Sequence, residues 1–180
     1  MTSVMITRPK GPDEVLADRL ADLGYVPVCE PLLRIHLDPK PIDCSGVQAV
    51  VFTSANAVAS FCKTNTDHGF AAFAVGHATA KVARLNKFSV VYQGTKGAEA
   101  LIAEILDICS PEMGEILHVS GDEVKINIAR ALQEFGFKAR REVVYRAEPV
   151  KKFSEPGFEA LKKGTIDEFT CNKSILTTTK

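Results

Sequence analysis

A parallel-sheet α/β architecture is what this sequence predicts, on three observations. Short apolar runs such as Ala49-Val50-Val51-Phe52 stop abruptly at turn or capping residues, the habit of strands buried on both faces. Helical periodicity follows these runs across short loops, and the unit recurs along the chain. The pattern Leu20-x-x-x-Gly24-Tyr25-x-x-x-x-Glu30 also returns position for position as Leu132-x-x-x-Gly136-Phe137-x-x-x-x-Glu142. Each copy follows a helix that begins near Asp-Glu-Val, at Asp13–Val15 and Asp122–Val124. Two related half-structures joined by paired extended connectors account for it.

Composition narrows the function classes. With 180 residues the chain suffices for one domain or two small ones. Its 22 basic and 22 acidic residues cancel, so no broad basic footprint for nucleic acid is expected. No apolar run approaches a membrane span, and the N-terminus lacks a signal peptide's layout. The five cysteines are odd in number and never spaced C-x-x-C; they read as reduced thiols of a soluble cytoplasmic protein. His36, His68, His77 and His118 show no metal-ligand spacing.

In chain order, residues 3–7 form a first strand, ended by the turn signals Arg8-Pro9-Lys10-Gly11-Pro12. Residues 13–23 form a helix with Leu16, Leu20 and Leu23 on one face and Gly24 as its stop. A second strand (25–30) continues into an extended segment (31–37). Two prolines, Pro39 and Pro41, then mark a linker and a domain crossing. The next strand begins at Ala49, with a helix behind it to about Thr64. Residues 71–75 form a strand, 76–79 a turn and 80–85 a helix. Residues 89–92 form a strand, with Gln93 to Gly97 as the loop behind it. Ala98, Leu101, Ile102, Ile105, Leu106 and Cys109 give the cleanest amphipathic helix. Residues 115–119 are a strand, Ser120-Gly121-Asp122 a turn, and 124–135 a helix ending at Gly136.

The segment 139–150 is expected to run back beside 31–37 and return the chain to its first domain. Phe158 and Leu161 suggest one more helix, and residues 164–170 one more strand. The stretch Cys171 to Lys180 reads as neither strand nor capped helix. The expected domains are residues 1–37 plus 150–180, discontinuous and incomplete, and residues 41–147, inserted and complete. The short sheet of the incomplete domain would leave an apolar edge, through which an otherwise monomeric chain could associate.

Glycine-rich nucleotide loops, nucleophile elbows and H-E-x-x-H are absent, which disfavours a nucleotide-dependent enzyme. The strand ends offer small and hydroxylated residues instead: Thr7-Arg8, Thr53-Ser54-Ala55-Asn56, Gly76-x-x-Thr79 and Ser120-Gly121. Singly, each is an ordinary helix cap. Together they line the carboxyl ends of parallel strands, where open α/β sheets bind ligands. Backbone N–H groups at such turns suit a ligand rich in carboxylates or phosphates. Tyr145, in the connector segment Val143-Val144-Tyr145-Arg146, is expected to border the cleft between the domains, as an amphipathic interface residue or a proton donor.

These residues resemble a known family. Ile6-Thr7-Arg8-Pro9, a helix ending Leu23-Gly24-Tyr25, then Pro31-Leu32-Leu33 is similar to the opening of bacterial uroporphyrinogen-III synthases. Phe52-Thr53-Ser54-Ala55-Asn56-Ala57-Val58, Val75-Gly76-x-Ala78-Thr79-Ala80 and Val144-Tyr145-Arg146-Ala147 resemble its later motifs, in the same order. The resemblance implies two flavodoxin-like parallel-sheet domains joined by a two-stranded connector, the second inserted into the first. It implies an enzyme of tetrapyrrole biosynthesis that needs no metal or organic cofactor. Its small-molecule substrate, hydroxymethylbilane, is a polycarboxylate that closes to uroporphyrinogen III with ring D inverted through a spiro intermediate. It further implies Tyr145 as a donor to the departing hydroxyl. Arg8, Ser54, Asn56, Thr79, Ser120 and Gly121 become candidate binders of substrate carboxylates and pyrroles. The family pattern continues with further strand–helix units where this sequence reads Cys171-Asn172-Lys173, so a truncated member is expected. An inactive member that only binds anionic tetrapyrrole is the alternative.

Overall fold

In a computed structural model of the chain, residues 1–9, 12–94, 97–171 and 174–177 are described. They divide into two compact units: Met1–Ile35 with Ala147–Lys180 (unit 1), and His36–Arg146 (unit 2). The sequence-predicted turn at Lys10-Gly11, the loop at Thr95-Lys96, Asn172-Lys173 and the end of the chain from 178 lie outside the described residues.

Unit 1 begins with β1 (Ser3–Ile6), α1 (Pro12–Asp22) and β2 (Val26–Cys29). Near the end of the chain it adds α6 (Glu155–Lys162), β9 (Glu168–Cys171) and β10 (Ser174–Thr177). The sheet order is β10-β9-β1-β2. β1 pairs in parallel with β2 and β9, whereas β10 runs antiparallel to β9. The strand at 174–177 corrects the expectation that nothing regular follows Cys171. Its sequence, Ser-Ile-Leu-Thr, is too short to show an alternation, and pairing with β9 is what makes it a strand.

Unit 2 is the larger core. β4 (Val47–Phe52), α2 (Ala55–Phe61), β5 (Ala71–Val75), α3 (His77–Leu85), β6 (Val91–Gly94) and α4 (Ala98–Ile108) alternate. β7 (Glu115–Gly121), α5 (Ile128–Glu134) and β8 (Ala139–Pro149) follow. Together with β3 (Leu33–Leu37) the strands take the order β3-β8-β7-β4-β5-β6. The pairs from β8 through to β6 are all parallel. Alternation along the strands separates two apolar layers. Val50, Phe52, Leu117 and Val119 pack with Val58 and Phe61 of α2 and Ala83 of α3. Ala49, Val51, Phe73 and Ile116 pack with Leu101 and Ile105 of α4 and Ile128 and Leu132 of α5. Both faces are covered, which is why these strands read as continuous apolar runs.

The repeated sequence pattern has a physical basis. Gly24 and Gly136 sit at φ 84° and 83°, the left-handed conformation that ends a helix at glycine. Gly24 N–H reaches Ala21 O at 2.9 Å and Tyr25 N–H reaches Leu20 O at 3.0 Å. Gly136 N–H to Gln133 O and Phe137 N–H to Leu132 O repeat this at 3.0 and 3.2 Å. Both helices thus end in the same paired-bond cap, with a buried leucine at its base.

Several boundaries differ from those read in the sequence, among them the starts of β4 at Val47 and of β9 at Glu168, and four have a clear local cause. α3 begins at His77, because Gly76 at φ 81° makes the whole turn in one residue; Thr79 is therefore helical. β6 is shifted to Val91–Gly94 by its register with β5. β7 extends through Ser120 and Gly121, which pair with β8 instead of turning. α5 starts only after Asn127, whose side chain accepts from Arg130 N–H at 3.3 Å.

Candidate active site

Strand order places the candidate site within unit 2. β4 is followed in sequence by β5 on one side and neighboured by β7 on the other, so the winding reverses between β4 and β7. Crevices at such reversals, beyond the carboxyl ends of the strands, are where open α/β sheets bind ligands. Ser54 lies just past the end of β4, and Ser120 and Gly121 end β7. Tyr145 on β8 is in register with Gly121, and Gly76 follows β5. Six of the seven sequence-predicted residues thus share one sheet edge. Arg8, just past β1, belongs to unit 1.

Each residue's local setting defines what it can offer. Ser54 caps α2, its Oγ accepting from Ala57 N–H at 3.2 Å. Asn56 is half-buried in the first turn of α2. Thr79 is 5% exposed in the first turn of α3. No side chain caps α3, and no acidic residue occupies its first turn. Its leading N–H groups therefore remain open to an anion.

Ser120 is fully buried; its hydroxyl bonds Gly121 O at 3.0 Å and receives Arg141 Nε at 2.8 Å. Its oxygen is engaged within the protein. Arg141 also donates to the carbonyls of Gly121 and Asp122, tying the end of β7 to β8. This guanidinium was not singled out in the sequence. The signal was the pair Arg140-Arg141, which strand alternation sends to opposite faces.

Tyr145 is held by a bulge. Between Ser120 and Gly121 the β7–β8 register slips, so that Gly121 faces Tyr145 and not Val144. The ring lies over the glycine: a Cβ on Gly121 would stand 2.6 Å from Tyr145 Cζ and 2.9 Å from Oη. Only glycine leaves that space. Asp122 N–H bonds Tyr145 O at 3.1 Å, and the half-buried ring packs on the apolar layer of Phe52 and Val119. Among the described residues, none takes the Tyr145 hydroxyl as a hydrogen-bond partner.

Other chemistries find little support here. Cys62 Sγ lies 3.8 Å from His68 Nε2, but burial pushes its thiol up to about 11, which removes the thiolate a nucleophile needs. His118 is fully buried on β7, and neither ring nitrogen finds a hydrogen-bond partner of good geometry. Burial, reinforced by the nearby Arg141 charge and opposed by the Asn127 side chain, lowers its pKa to about 4. It is neutral at physiological pH and unsuited to proton transfer there.

The profile of the family described as uroporphyrinogen-III synthase HemD matches residues 14–177. The chain belongs to this family. Uroporphyrinogen-III synthases are cyclising lyases of tetrapyrrole biosynthesis, and the parallel α/β arrangement is the one their structures share. The uroporphyrinogen-III synthetase of Helicobacter pylori superposes with a TM-score of 0.59 at 23% identity, over 89% of this chain and 68% of that one. A mutant uroporphyrinogen III synthase of Thermus thermophilus gives 0.58 at 17% identity, over 94% and 71%. The wild-type Thermus thermophilus enzyme gives 0.50 over the same shares. At these identities the likeness speaks for the fold, and the family match carries the function. No curated protein sequence matches closely. No helix among the described residues is long and apolar enough to cross a membrane.

Proposed function

We propose that this chain closes hydroxymethylbilane to uroporphyrinogen III, and that the chemistry takes place at the carboxyl edge of the unit-2 sheet. The observation that carries this reading is the phenol of Tyr145, fixed over Gly121 beside the winding reversal in a chain whose family closes this ring. The substrate's carboxylates suit the open N–H groups of α3 and the turn at Ser54 and Asn56. Thr79 shapes the start of α3, and Gly121 gives room to the phenol. Ser120 acts from behind, by fixing Arg141. In unit 1, Arg8 is the matching candidate for a carboxylate.

In the proposed reaction the hydroxyl of the bilane leaves as water, with Tyr145 donating a hydrogen bond or proton to the departing oxygen. The loss of the pyrrole N–H proton balances the step and leaves an azafulvene. Ring D attacks its methylene through the substituted carbon, giving a spiro intermediate. That intermediate fragments and recloses with ring D reversed. Because the bilane also closes unaided to the uninverted isomer, the protein's contribution is chiefly to hold the bend that favours spiro closure.

The test is to incubate the 180-residue chain with freshly made hydroxymethylbilane and measure the ratio of type III to type I product. An excess of type III is expected. Type I alone, from protein shown to be folded, would refute the proposal. Tyr145→Phe should then lower the rate of type III formation by about a hundredfold, and an unchanged rate would remove Tyr145 from the mechanism.

A further inference from the structure

Unit 1 contains a hollow of its own. A cavity of about 480 Å3 opens beside the end of β2, β3 and the segment leading into α6. That volume is in the range of small-molecule sites. Pro31, Leu33, Ile35 and Phe153 supply an apolar wall. Leu33 and Phe153 leave 37% and 47% of their surface uncovered, so a flat apolar ligand placed there would remove hydrocarbon from water.

The cavity's own lining carries two cations, Arg34 and Lys152, and one carboxylate, Glu30. Both cations also border an adjoining groove of about 380 Å3 that Lys151 and the carboxylate of Glu148 line as well. Among the described residues, neither Arg34 nor Lys152 forms an ion pair. The one carboxylate in the wall, Glu30, is 2% exposed and already engaged. Ser154 N–H donates to it at 2.9 Å, and the Ser154 hydroxyl donates to its other oxygen. Glu30 is thereby committed to the start of α6 and leaves the cations to a ligand.

A small inorganic anion would leave the apolar wall wet, and a neutral hydrocarbon would leave the cations without partners. We propose that this cavity binds a carboxylate-bearing pyrrole, the ring against Phe153 and Leu33 and the acidic arms on Arg34 and Lys152. The geometry asks for a flat, apolar, anionic group; the choice of a pyrrole rests on the proposed function. The cavity would thus give unit 1 its own hold on one ring of a polypyrrole.

The experiment is a calorimetric titration of the full chain with a monopyrrole carrying acetate and propionate arms. Saturable binding is expected. Arg34→Ala and Lys152→Ala should each weaken it about fivefold, the upper end for an exposed ion pair, and Phe153→Ala by a similar factor. Lys163→Ala, a surface lysine paired with Glu159 on α6, should leave the affinity unchanged. Absence of saturable binding, equal affinity in all variants, or equal binding of the diester would overturn the proposal. The type III assay separates the two readings. Type III formation without pyrrole binding would sink the cavity and spare the proposed function. Pyrrole binding that depends on Arg34, without type III formation, would do the reverse.

Discussion

At the scale of single residues, Gly121 and Tyr145 form one device. The phenol occupies the space that a Cβ on Gly121 would need, so the glycine can be judged through the tyrosine. Gly121→Ala should push the ring from its place and lower type III formation by about tenfold or more, while the far-ultraviolet circular dichroism spectrum stays that of the wild type. Unchanged activity would mean that the ring's position is irrelevant. Tyr145 became a candidate in the sequence because it lies in the connector segment Val143-Val144-Tyr145-Arg146. The bulge that aims it was not legible there, since register depends on the partner strand. Nor was the fate of Ser120: a serine read as a turn residue became a buried strand residue bonded to Arg141. His118 makes a second prediction at this scale. Its folded pKa, about 4, lies below the ordinary 6.5, so the unfolded chain binds the extra proton. Above pH 6.5 the ring is neutral in both states, and this group adds no pH dependence to stability. Between about pH 6.5 and 4, stability should fall with pH by up to ~3 kcal/mol from this group. His118→Leu should flatten that part of a urea-denaturation series, and an unaltered slope would show that His118 is not its source.

At the scale of elements, ends proved harder to read than middles. Strands β4 and β5 and the helices α1 and α4 were legible, because apolar runs and periodicity carry that information within the segment. The ends of the paired-bond caps at Gly24 and Gly136 were legible for the same reason, a leucine and a glycine at fixed spacing. The start of α3 depends on one glycine's positive φ, and the start of α5 on which of several polar residues caps it; neither is fixed by local pattern. The start of α6 shows how far such an end can rely on a distant residue. Ser154 caps the helix by accepting from Gly157 N–H at 3.1 Å and itself donates to Glu30. A Cβ on Gly157 would collide with the Glu30 carboxylate, which is too buried to swing into water. Gly157→Ala should therefore destabilise the chain by about 2 kcal/mol in chemical denaturation. In a Glu30→Ala background the same change should cost much less, because the collision is gone. Additive effects would show that Gly157 is needed for some other reason.

At the scale of the molecule, the described residues of the two units differ in how much hydrocarbon they bury, and that difference should set how each opens. In unit 2, Val50, Val51, Phe52, Leu117 and Val119 are fully buried between helices on both faces. In unit 1 the described apolar cluster is Val4, Ile6 and Leu20, flanked by Leu16 and Ala17, with Met5 and Ile166 buried besides. Val15, Leu23, Val26 and Phe158 of that unit leave between 42% and 73% of their surface exposed. The parallel α/β class was legible in the sequence because buried strands need continuous apolar runs. The unequal depth of the two cores was not, since exposure depends on what covers each face and not on the residue itself. Opening free energy follows local burial, so the amides of β1 and β2 should exchange with solvent at a lower free energy than those of β4 and β7. Native-state hydrogen exchange followed by mass spectrometry, with urea added in small steps, reads this directly. Two exchange classes are expected, with peptides from β1 and β2 losing protection first and with the weaker urea dependence. A single class, all peptides merging onto one unfolding free energy, would mean that the thin core of unit 1 does not govern its opening and that the chain unfolds as one cooperative body.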